Sequence, residues 1–302
     1  MGPTASGKTD LALKLAQRFP FDIISVDSAM IYRGMDIGTA KPDRHILRQA
    51  PHRLIDICDP AESYSAARFS EDARREITAI HAAGRIPLLV GGTMLYFRAL
   101  QHGLAALPEA DPEIRLQLQK RLQAEGLPVL YEELQKVDAA SAQRIHANDP
   151  QRILRALEVF AAAGEPMSRI LARSENRTMP WSVFKFALFP DDRKLLHERI
   201  EQRFYQMLDA GFVNEVRSLH GRDDLNLDKP SMRTVGYRQI WRHLDGSISY
   251  EAMVERGIVA TRQLAKRQLT WLRAETGLHS LASINLDLNE VLRTISGFLQ
   301  DY

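Results

Sequence analysis

The sequence predicts an α/β fold: a P-loop-containing, doubly wound parallel sheet with a small all-helical insertion domain. Three observations lead to this prediction. The chain opens on a phosphate-loop pattern at 2–9 (GPTASGKT). Short apolar runs rich in β-branched residues then alternate with helical patterns, as they do in parallel sheets. From 113 to 177 the pattern becomes almost purely helical.

The opening loop has two glycines with four residues between them, followed by Lys8 and Thr9. The glycines allow a tight turn that directs successive N–H groups at phosphate oxygens, and the helix predicted at 10–18 adds its N-terminal dipole. Lys8 supplies a positive charge, and the Thr9 hydroxyl is placed for Mg²⁺ or a phosphate oxygen. The loop recognises phosphate and not a base, so it does not indicate ATP. A strand normally precedes such a loop, and we expect it upstream of Met1.

A carboxylate follows the first apolar run. Residues 21–28 (FDIISVDS) predict a buried parallel strand that ends near Asp27. The carboxyl ends of strands face the ligand crevice in open α/β sheets, which places Asp27 near the bound phosphate. Three roles stay open for its side chain: Mg²⁺ ligand, general base, or cap of the next turn.

Two more strands are predicted, at 52–58 and 85–93. Cys58, the only cysteine, lies in the first of them and is interpreted as structural, since one cysteine can form neither a disulfide nor a cysteine-built zinc site. The second strand closes on two glycines, which indicates a close backbone approach. Thr93 then stands either at the crevice or in a tight turn into a helix at 94–101.

Around residue 105 a linker leads into a helical region. Proline and glycine breakers divide it into helices at 113–124, 128–136, 139–146, 150–163 and 167–173. We therefore expect a core domain in two parts, 1–108 and 181–302, separated by an insertion domain at 109–180. Arg152 and Arg155 share one helix face there. They suit phosphate contacts and ion pairs with Asp149 and Glu158 equally well.

The second part of the core begins with a strand at 183–190 and a long helix at 191–210. Arg203 on that helix points either to a phosphate or to solvent. The last predicted helix, 250–273, is the basic stretch of the chain, since 254–273 contain five Arg or Lys residues and a single Glu. Its two interpretations are contact with a nucleic-acid backbone and a solvated basic face.

Composition restricts the class of protein. The 302 residues are 45% hydrophobic and 26% charged, with a formal net charge of +2, which is ordinary for a globular chain. No apolar run approaches the ~18 residues of a membrane span, and no signal peptide is visible. We expect a cytoplasmic, monomeric protein without a membrane partner.

Taken together, the motifs resemble those of the bacterial tRNA dimethylallyltransferases, also called tRNA isopentenyltransferases. The matching stretches cover nearly the whole chain: GPTASGKT, SVDSAMIYRGMDIGTAKP, LLVGGTMLYFRAL, NDPQRILRALEVF, RIEQRFYQML, RTVGYRQIW and ATRQLAKRQLTWLR. The resemblance implies transfer of a dimethylallyl group from dimethylallyl diphosphate to the exocyclic amine of the adenosine on the 3′ side of the anticodon. It also implies the tRNA anticodon stem-loop as partner and Mg²⁺ as cofactor.

The resemblance also assigns roles to residues. Lys8 and Thr9 match positions that bind diphosphate and stabilise the leaving group, Asp27 matches the general base, and Arg203 matches a diphosphate-binding arginine. Thr9 is the candidate Mg²⁺ ligand. The diphosphate would lie on Gly2, Pro3, Thr4, Ala5, Ser6, Gly7, Lys8 and Thr9. The tRNA-contacting positions would be Asp27, Ser28, Ala29, Met30, Thr93, Arg115, Gln151, Arg152, Ile153, Leu154, Arg155, Arg233, Thr234, Val235, Gly236, Tyr237 and Arg238.

Three other functions compete with this one. A related prenyltransferase could act on free adenine nucleotides, although a small acceptor needs neither the insertion nor the basic helix. A small-molecule kinase shares the phosphate loop and would hydrolyse or transfer phosphate from ATP. A non-catalytic RNA-binding module would bind tRNA without turnover.

Overall fold

The computed structural model of the protein describes residues 1–105, 107–109, 111–173, 179–283 and 286–300. The chain divides into two compact units. The first, here called the sheet unit, comprises Met1–Gln101 and Met179–Tyr302; the second, the helical unit, comprises His102–Thr178. Across the described ranges, we find no helix with the length and apolarity that a membrane crossing requires.

The strands of the sheet unit are all parallel to their neighbours. Strand β1 (Phe21–Val26) lies between β2 (His52–Arg53) and β3 (Ile86–Gly91), and its six residues all pair with β3. Strands β4 (Lys185–Phe189) and β5 (Leu278–Ala282) form a second sheet. The α/β class with parallel sheets is therefore confirmed. The described strands form two small sheets, however, and not the single doubly wound sheet that the sequence predicts.

Met1 is bonded to the second sheet. Its amine donates to the Phe186 carbonyl at 2.7 Å, and the Leu188 N–H donates to the Met1 carbonyl at 3.0 Å, which is the bonding pattern of a parallel strand pair. A mainly apolar cavity of about 240 Å³ is lined by residues of β3 and β4 beside it. The predicted phosphate loop therefore begins directly after a residue that is hydrogen-bonded to β4.

Helices account for most of the remaining sheet unit. In chain order they are α1 (Lys8–Ala16), α2 (Arg44–Gln49), α3 (Ala66–Ala82), α4 (Met94–His102), α10 (Arg193–Asp209), α11 (Phe212–His220), α12 (Tyr237–Leu244), α13 (Tyr250–Ala274) and α14 (Leu288–Gln300). Those of the helical unit are α5 (Pro112–Glu125), α6 (Leu127–Val137), α7 (Ala139–Arg144), α8 (Pro150–Ala163) and α9 (Met167–Arg173). Each unit has its own apolar core.

Several elements differ from the sequence prediction. The strand predicted at 52–58 is only two residues long, and Cys58 lies beyond it in an isolated bridge with Tyr32. Helices α2, α11 and α14 and strand β5 are not in the prediction. Helix α2 is only six residues long and strand β5 only five, which leaves little pattern to detect. Helices α11 and α14 do carry apolar residues at helical spacing, and the sequence prediction missed them.

Candidate active site

The segment that the sequence predicts as a phosphate loop is folded as a tight turn directly before α1. Ala5 and Gly7 both have left-handed backbone conformations, with φ of 59° and 81°, and α1 begins directly after Gly7. Left-handed residues in such a turn direct neighbouring N–H groups into one concavity, and the first N–H groups of α1 have no partner within the helix. The loop therefore presents backbone donors and a positive helix dipole to the same region.

Lys8 is a half-buried cation within this loop. Its Nζ donates to the Pro3 carbonyl at 3.1 Å. Burial lowers the Lys8 pKa to about 8; the neighbouring Asp27 carboxylate raises it again, and Arg203 lowers it further. The lowered pKa means that the surrounding protein does not fully stabilise the positive charge of Lys8. An anion bound at the loop would stabilise that charge and would therefore be bound strongly.

Arg203 of α10 is the second cation. Burial lowers its pKa, while the carboxylates of Asp27 and Asp10 raise it. Its guanidinium makes no hydrogen bond or ion pair with the residues that the structure describes. Since an arginine keeps its charge in proteins, all of its donors remain free for a ligand.

Asp27 lies directly after β1 and faces both cations. Its Oδ1 accepts the N–H of Ala29 at 2.9 Å and the N–H of Met30 at 3.3 Å. The cap of the next turn is thus one of its functions. Its second oxygen, Oδ2, has no hydrogen-bond partner among the described residues. One oxygen therefore holds the turn, and the other is available to a substrate or a metal ion.

A cavity of about 890 Å³ within the sheet unit collects these groups. Its size suits a small ligand of two parts, such as a diphosphate with a short apolar chain. Its walls combine the loop, both cations and several later segments: Thr4, Ala5, Ser6, Gly7, Lys8, Thr9, Asp27, Ala29, Met30, Gly38, Lys41, Arg199, Arg203, Thr234, Val235, Gly236 and Gln268. Gly2 and Pro3 lie behind the loop and do not line the cavity.

Thr93 is tied to the residue after Asp27. Its Oγ1 accepts the Ser28 N–H at 3.0 Å and donates to the Ser28 hydroxyl at 3.3 Å. Its own carbonyl accepts the N–H of Tyr96 at the start of α4. The turn into α4 is thus present, whereas Thr93 is not among the residues that line the cavity. Gly91, two residues earlier, has no room for a side chain, because a Cβ would lie 2.0 Å from the Val26 carbonyl oxygen.

Residues 36–41 form an ordered wall of the cavity. Lys41 is almost completely buried and pairs with Asp36 at 2.6 Å and Asp56 at 2.5 Å. The Glu215 carboxylate of α11 accepts the N–H groups of Asp36, Ile37 and Gly38 at 2.9, 2.7 and 3.2 Å. These contacts hold the segment although it contains no regular secondary structure.

Three arginines lie close together at 233–242. Arg238 is half-buried, and burial together with the charges of Arg233 and Arg242 lowers its pKa. Arg233 has only a 3.4 Å contact with the exposed Asp228 to offset its charge. Arg238 and Arg242 have no ion pair among the residues that the structure describes, and the one contact of Arg233 is weak, so the cluster suits phosphate. Between its members, Thr234 to Gly236 line the cavity.

The candidate tRNA-contacting residues of the helical unit differ in exposure and in their ion-pair partners. Arg115 and Gln151 are exposed. Arg152 is exposed and lies 3.4 Å from Asp149, whereas Arg155 lies 3.3 Å from the buried Glu158 and donates to the Pro108 carbonyl at 2.7 Å. Both ion pairs that the sequence allowed are therefore present. Ile153 is completely buried, so its side chain is not available to a nucleic acid, whereas Leu154 packs against the same core and is only partly buried.

The described residues contain no group of three or more His, Cys, Asp or Glu side chains that could hold a metal by themselves. A Mg²⁺ ion bound mainly through phosphate oxygens and water needs only one or two protein oxygens. Thr9 and the free Asp27 oxygen line the same cavity and fit that requirement. The donor set is thus compatible with Mg²⁺ carried by a diphosphate.

Sequence reasoning missed Gln268 and Glu215. Both contact backbone groups of the cavity wall from helices far away in the chain. The only sequence signal for Gln268 was the pair of glycines at 91–92. They indicated that another part of the chain approaches the backbone closely, but not which residue does so.

Comparison with known proteins agrees with the motifs. The family model for IPP transferase matches residues 30–275. A tRNA dimethylallyltransferase of Thioalkalivibrio sulfidiphilus is 55% identical over 300 residues, which are 99% of this chain and 94% of that protein. The structure of a tRNA isopentenylpyrophosphate transferase from Bacillus halodurans has a TM-score of 0.71 at 35% identity and covers 99% of this chain and 94% of its own.

A eukaryotic dimethylallyltransferase acting on tRNA has a TM-score of 0.82 at 25% identity, over 99% of this chain and 78% of that one. The similarity therefore extends across both units and is not confined to the phosphate loop. On the family match over most of its length and the 55% identity to one relative, the chain belongs to the IPP transferase family.

Proposed function

We propose that the protein transfers the dimethylallyl group of dimethylallyl diphosphate to the exocyclic amine of the adenosine 3′-adjacent to the anticodon in tRNA. A new carbon–nitrogen bond forms as the carbon–oxygen bond to the diphosphate breaks. Diphosphate is released and the amine loses a proton. The family assignment supports the reaction class.

One observation carries the proposal: two uncompensated cations, Lys8 and Arg203, face the same cavity as the free oxygen of Asp27. The cations suit a leaving diphosphate, whose negative charge grows in the transition state. Preorganised donors aimed at such charge are commonly the largest catalytic contribution. The phosphate loop therefore holds a leaving group in this proposal, and not a nucleotide cofactor.

Asp27 is the residue placed to take the proton. An aromatic amine is a weak nucleophile until its proton begins to leave, and a carboxylate within hydrogen-bond reach can accept it. Because Oδ1 is already fixed by the two turn N–H groups, the side chain has one orientation. Its second oxygen would then point at the acceptor amine.

Mg²⁺ is the proposed cofactor. When bound with the diphosphate it would neutralise phosphate charge as a Lewis acid. The Thr9 hydroxyl would hold it, with the free oxygen of Asp27, which lines the same cavity, as a second protein ligand.

The tRNA would contact the protein through basic surface. We assign phosphate contacts to the arginine cluster at Arg233, Arg238 and Arg242 and to the exposed cations Lys266 and Arg267 of α13. An acceptor base must leave the stack of the anticodon loop to reach a buried amine site, as other base-modifying enzymes require.

A direct comparison of acceptors tests the function. The protein is incubated with dimethylallyl diphosphate and Mg²⁺ and offered either AMP or tRNA, and the modified base is identified by mass spectrometry. We expect prenylated adenosine in tRNA only. Prenylated AMP with unmodified tRNA would assign the protein to nucleotide prenylation, and ATP turnover without prenyl transfer would assign it to a kinase.

A further inference from the structure

Gln268 of α13 joins two parts of the cavity that are far apart in the chain. Its Oε1 accepts the N–H of Thr4 in the phosphate loop at 2.8 Å, and its Nε2 donates to the Gly92 carbonyl at 2.9 Å. A side-chain amide can do both because it carries a donor and an acceptor. Only this orientation of the amide satisfies both partners, since Thr4 offers a donor and Gly92 an acceptor.

The backbone at Gly92 is shaped around this contact. A Cβ at position 92 would lie 2.4 Å from the Gln268 Nε2 and 3.1 Å from the Gly2 carbonyl oxygen. Any side chain there would displace the amide. Position 92 therefore requires a glycine, because only a residue without a side chain leaves room for Gln268 between β3 and the phosphate loop.

The connection continues to the proposed base. Thr93, the residue after Gly92, is hydrogen-bonded to the backbone and side chain of Ser28, and Ser28 follows Asp27. A continuous path therefore leads from the phosphate loop through Gln268 and the 92–93 backbone to Asp27. Each hydrogen bond of this path has a backbone group as donor or acceptor, except the one between the Thr93 and Ser28 hydroxyls. The path therefore constrains the main chain itself.

We infer that Gln268 is a positioning residue that fixes the phosphate loop at the correct distance from the Asp27 side of the cavity. This inference rests on the proposed function, in which one side holds the leaving group and the other holds the acceptor amine. The amide contacts the loop and the strand end, and the reacting atoms are positioned through them. A displacement of about 1 Å between such groups is enough to reduce a rate roughly 10²-fold.

The role makes a distinct kinetic prediction. In Gln268→Leu, the Thr4 N–H and the Gly92 carbonyl lose their shared partner, but Lys8, Arg203 and the arginine cluster remain. We expect kcat to fall by roughly 10- to 100-fold and KM for dimethylallyl diphosphate and for tRNA to stay within about threefold. Gln268→Glu keeps an acceptor for Thr4 but has no donor for Gly92, so it should also lose kcat. Gln17→Leu, an exposed glutamine at the end of α1, is the matched control.

Amide hydrogen exchange gives a readout that does not depend on turnover. In the ligand-free Gln268→Leu protein, residues 2–9 and 91–93 should exchange faster than in wild type and in Gln17→Leu, and by a larger factor than the rest of the chain. Unchanged exchange in both segments, or a kcat within twofold of wild type, would overturn the inference, as would a rise in KM alone. If Gln268→Leu does not fold, the same measurements on Gln268→Glu decide.

The two proposals fail separately. If the wild-type protein transfers no prenyl group to tRNA, the proposed function is wrong, and the exchange measurement still decides whether Gln268 holds the loop. If wild type transfers the group and Gln268→Leu matches it in kcat and exchange, only the positioning role is wrong.

Discussion

The phenolic hydroxyl of Tyr237 donates to the Glu215 Oε1 at 2.5 Å, and the same carboxylate accepts three consecutive N–H groups from Asp36, Ile37 and Gly38. Burial and the Glu215 charge raise the pKa of Tyr237, so it stays a donor at neutral pH. Gly38 fits beside these rings only without a side chain, because a Cβ would lie 2.1 Å from Phe212 and 2.6 Å from Tyr237.

Glu215→Ala should therefore loosen the 36–41 wall of the cavity. Three N–H groups and one hydroxyl lose their acceptor, and hydrogen bonds to a charged group contribute about 1.5–3 kcal/mol each. We expect a loss of at least about 2 kcal/mol in the free energy of unfolding, measured by urea denaturation. Tyr237→Phe removes one of the four bonds and should cost about 1.5–3 kcal/mol.

The exposed Glu71 of α3 has no hydrogen bond or ion pair with the described residues, and Glu71→Ala is the control for loss of a carboxylate. Equal stability of Glu215→Ala and Glu71→Ala would contradict a structural role for the cluster.

Lys8→Met should stabilise the ligand-free protein. The folded pKa of about 8 is below the ordinary 10.5, so the unfolded chain binds more protons between these values and stability rises with pH across that window. Below pH 8 the full cost of the buried charge is present, up to about 3 kcal/mol. The variant should be more stable at pH 7, by an amount that disappears by pH 10.5.

Urea unfolding of wild type and variant at four pH values checks this, with the exposed Lys14→Met on the same helix as control. A stability difference that does not change with pH would refute the assignment. Inorganic diphosphate should stabilise wild type more than Lys8→Met, because the variant lacks one of the two cations that the anion neutralises.

Asp27→Asn separates the base from the turn. The amide oxygen can still accept the N–H groups of Ala29 and Met30, but the side chain can no longer take a proton. We expect kcat for prenyl transfer to fall roughly 10²-fold or more with an unchanged unfolding temperature. Asp27→Ala should lose turnover as well and also destabilise the turn. Near-normal turnover in Asp27→Asn would remove Asp27 from the base role.

Arg203→Met should weaken diphosphate binding. The guanidinium has no ion-pair partner among the described residues, and a charge-assisted hydrogen bond contributes about 1.5–3 kcal/mol. We expect a 10- to 100-fold higher Kd for dimethylallyl diphosphate by titration calorimetry, following from that energy. Arg193→Met, an exposed arginine at the start of the same helix, should bind as wild type does. An unchanged Kd in Arg203→Met would return this residue to the solvated-face interpretation.

The two arginines of α8 should behave differently. Arg155→Ala leaves the buried Glu158 unpaired, which should destabilise the protein by about 3 kcal/mol. Arg152 is exposed and weakly paired, so Arg152→Ala should leave stability unchanged and reduce the salt dependence of tRNA binding by about one ion. Thermal unfolding and a salt titration of tRNA affinity distinguish them. Identical effects on both measurements would show that neither residue has the assigned role.

The sequence by itself determined the parts whose structure depends on local chemistry. The glycine spacing and Lys8 specify an anion-binding turn wherever it lies, the breakers at Gly126 and Pro150 separate helices, and the β-branched run before Asp27 specifies a buried strand. These patterns also carried the family resemblance. Prediction was weakest where order depends on distant partners: the 36–41 wall needs Glu215, and β5 needs β4.

Tertiary structure alone decided which charges are compensated. From the sequence, Arg152 and Arg155 were equally suited to phosphate or to ion pairs, and Arg203 to phosphate or to solvent. Arg155 pairs with Glu158 within its own helix, whereas the fold leaves Arg203 facing the cavity without an ion-pair partner among the described residues, so their neighbours differ although their chemistry is the same. The fold also brings Gln268 between the phosphate loop and Gly92. The two hydrogen bonds of Gln268 join residues 264 and 176 positions apart, and local sequence patterns contain no information at that range.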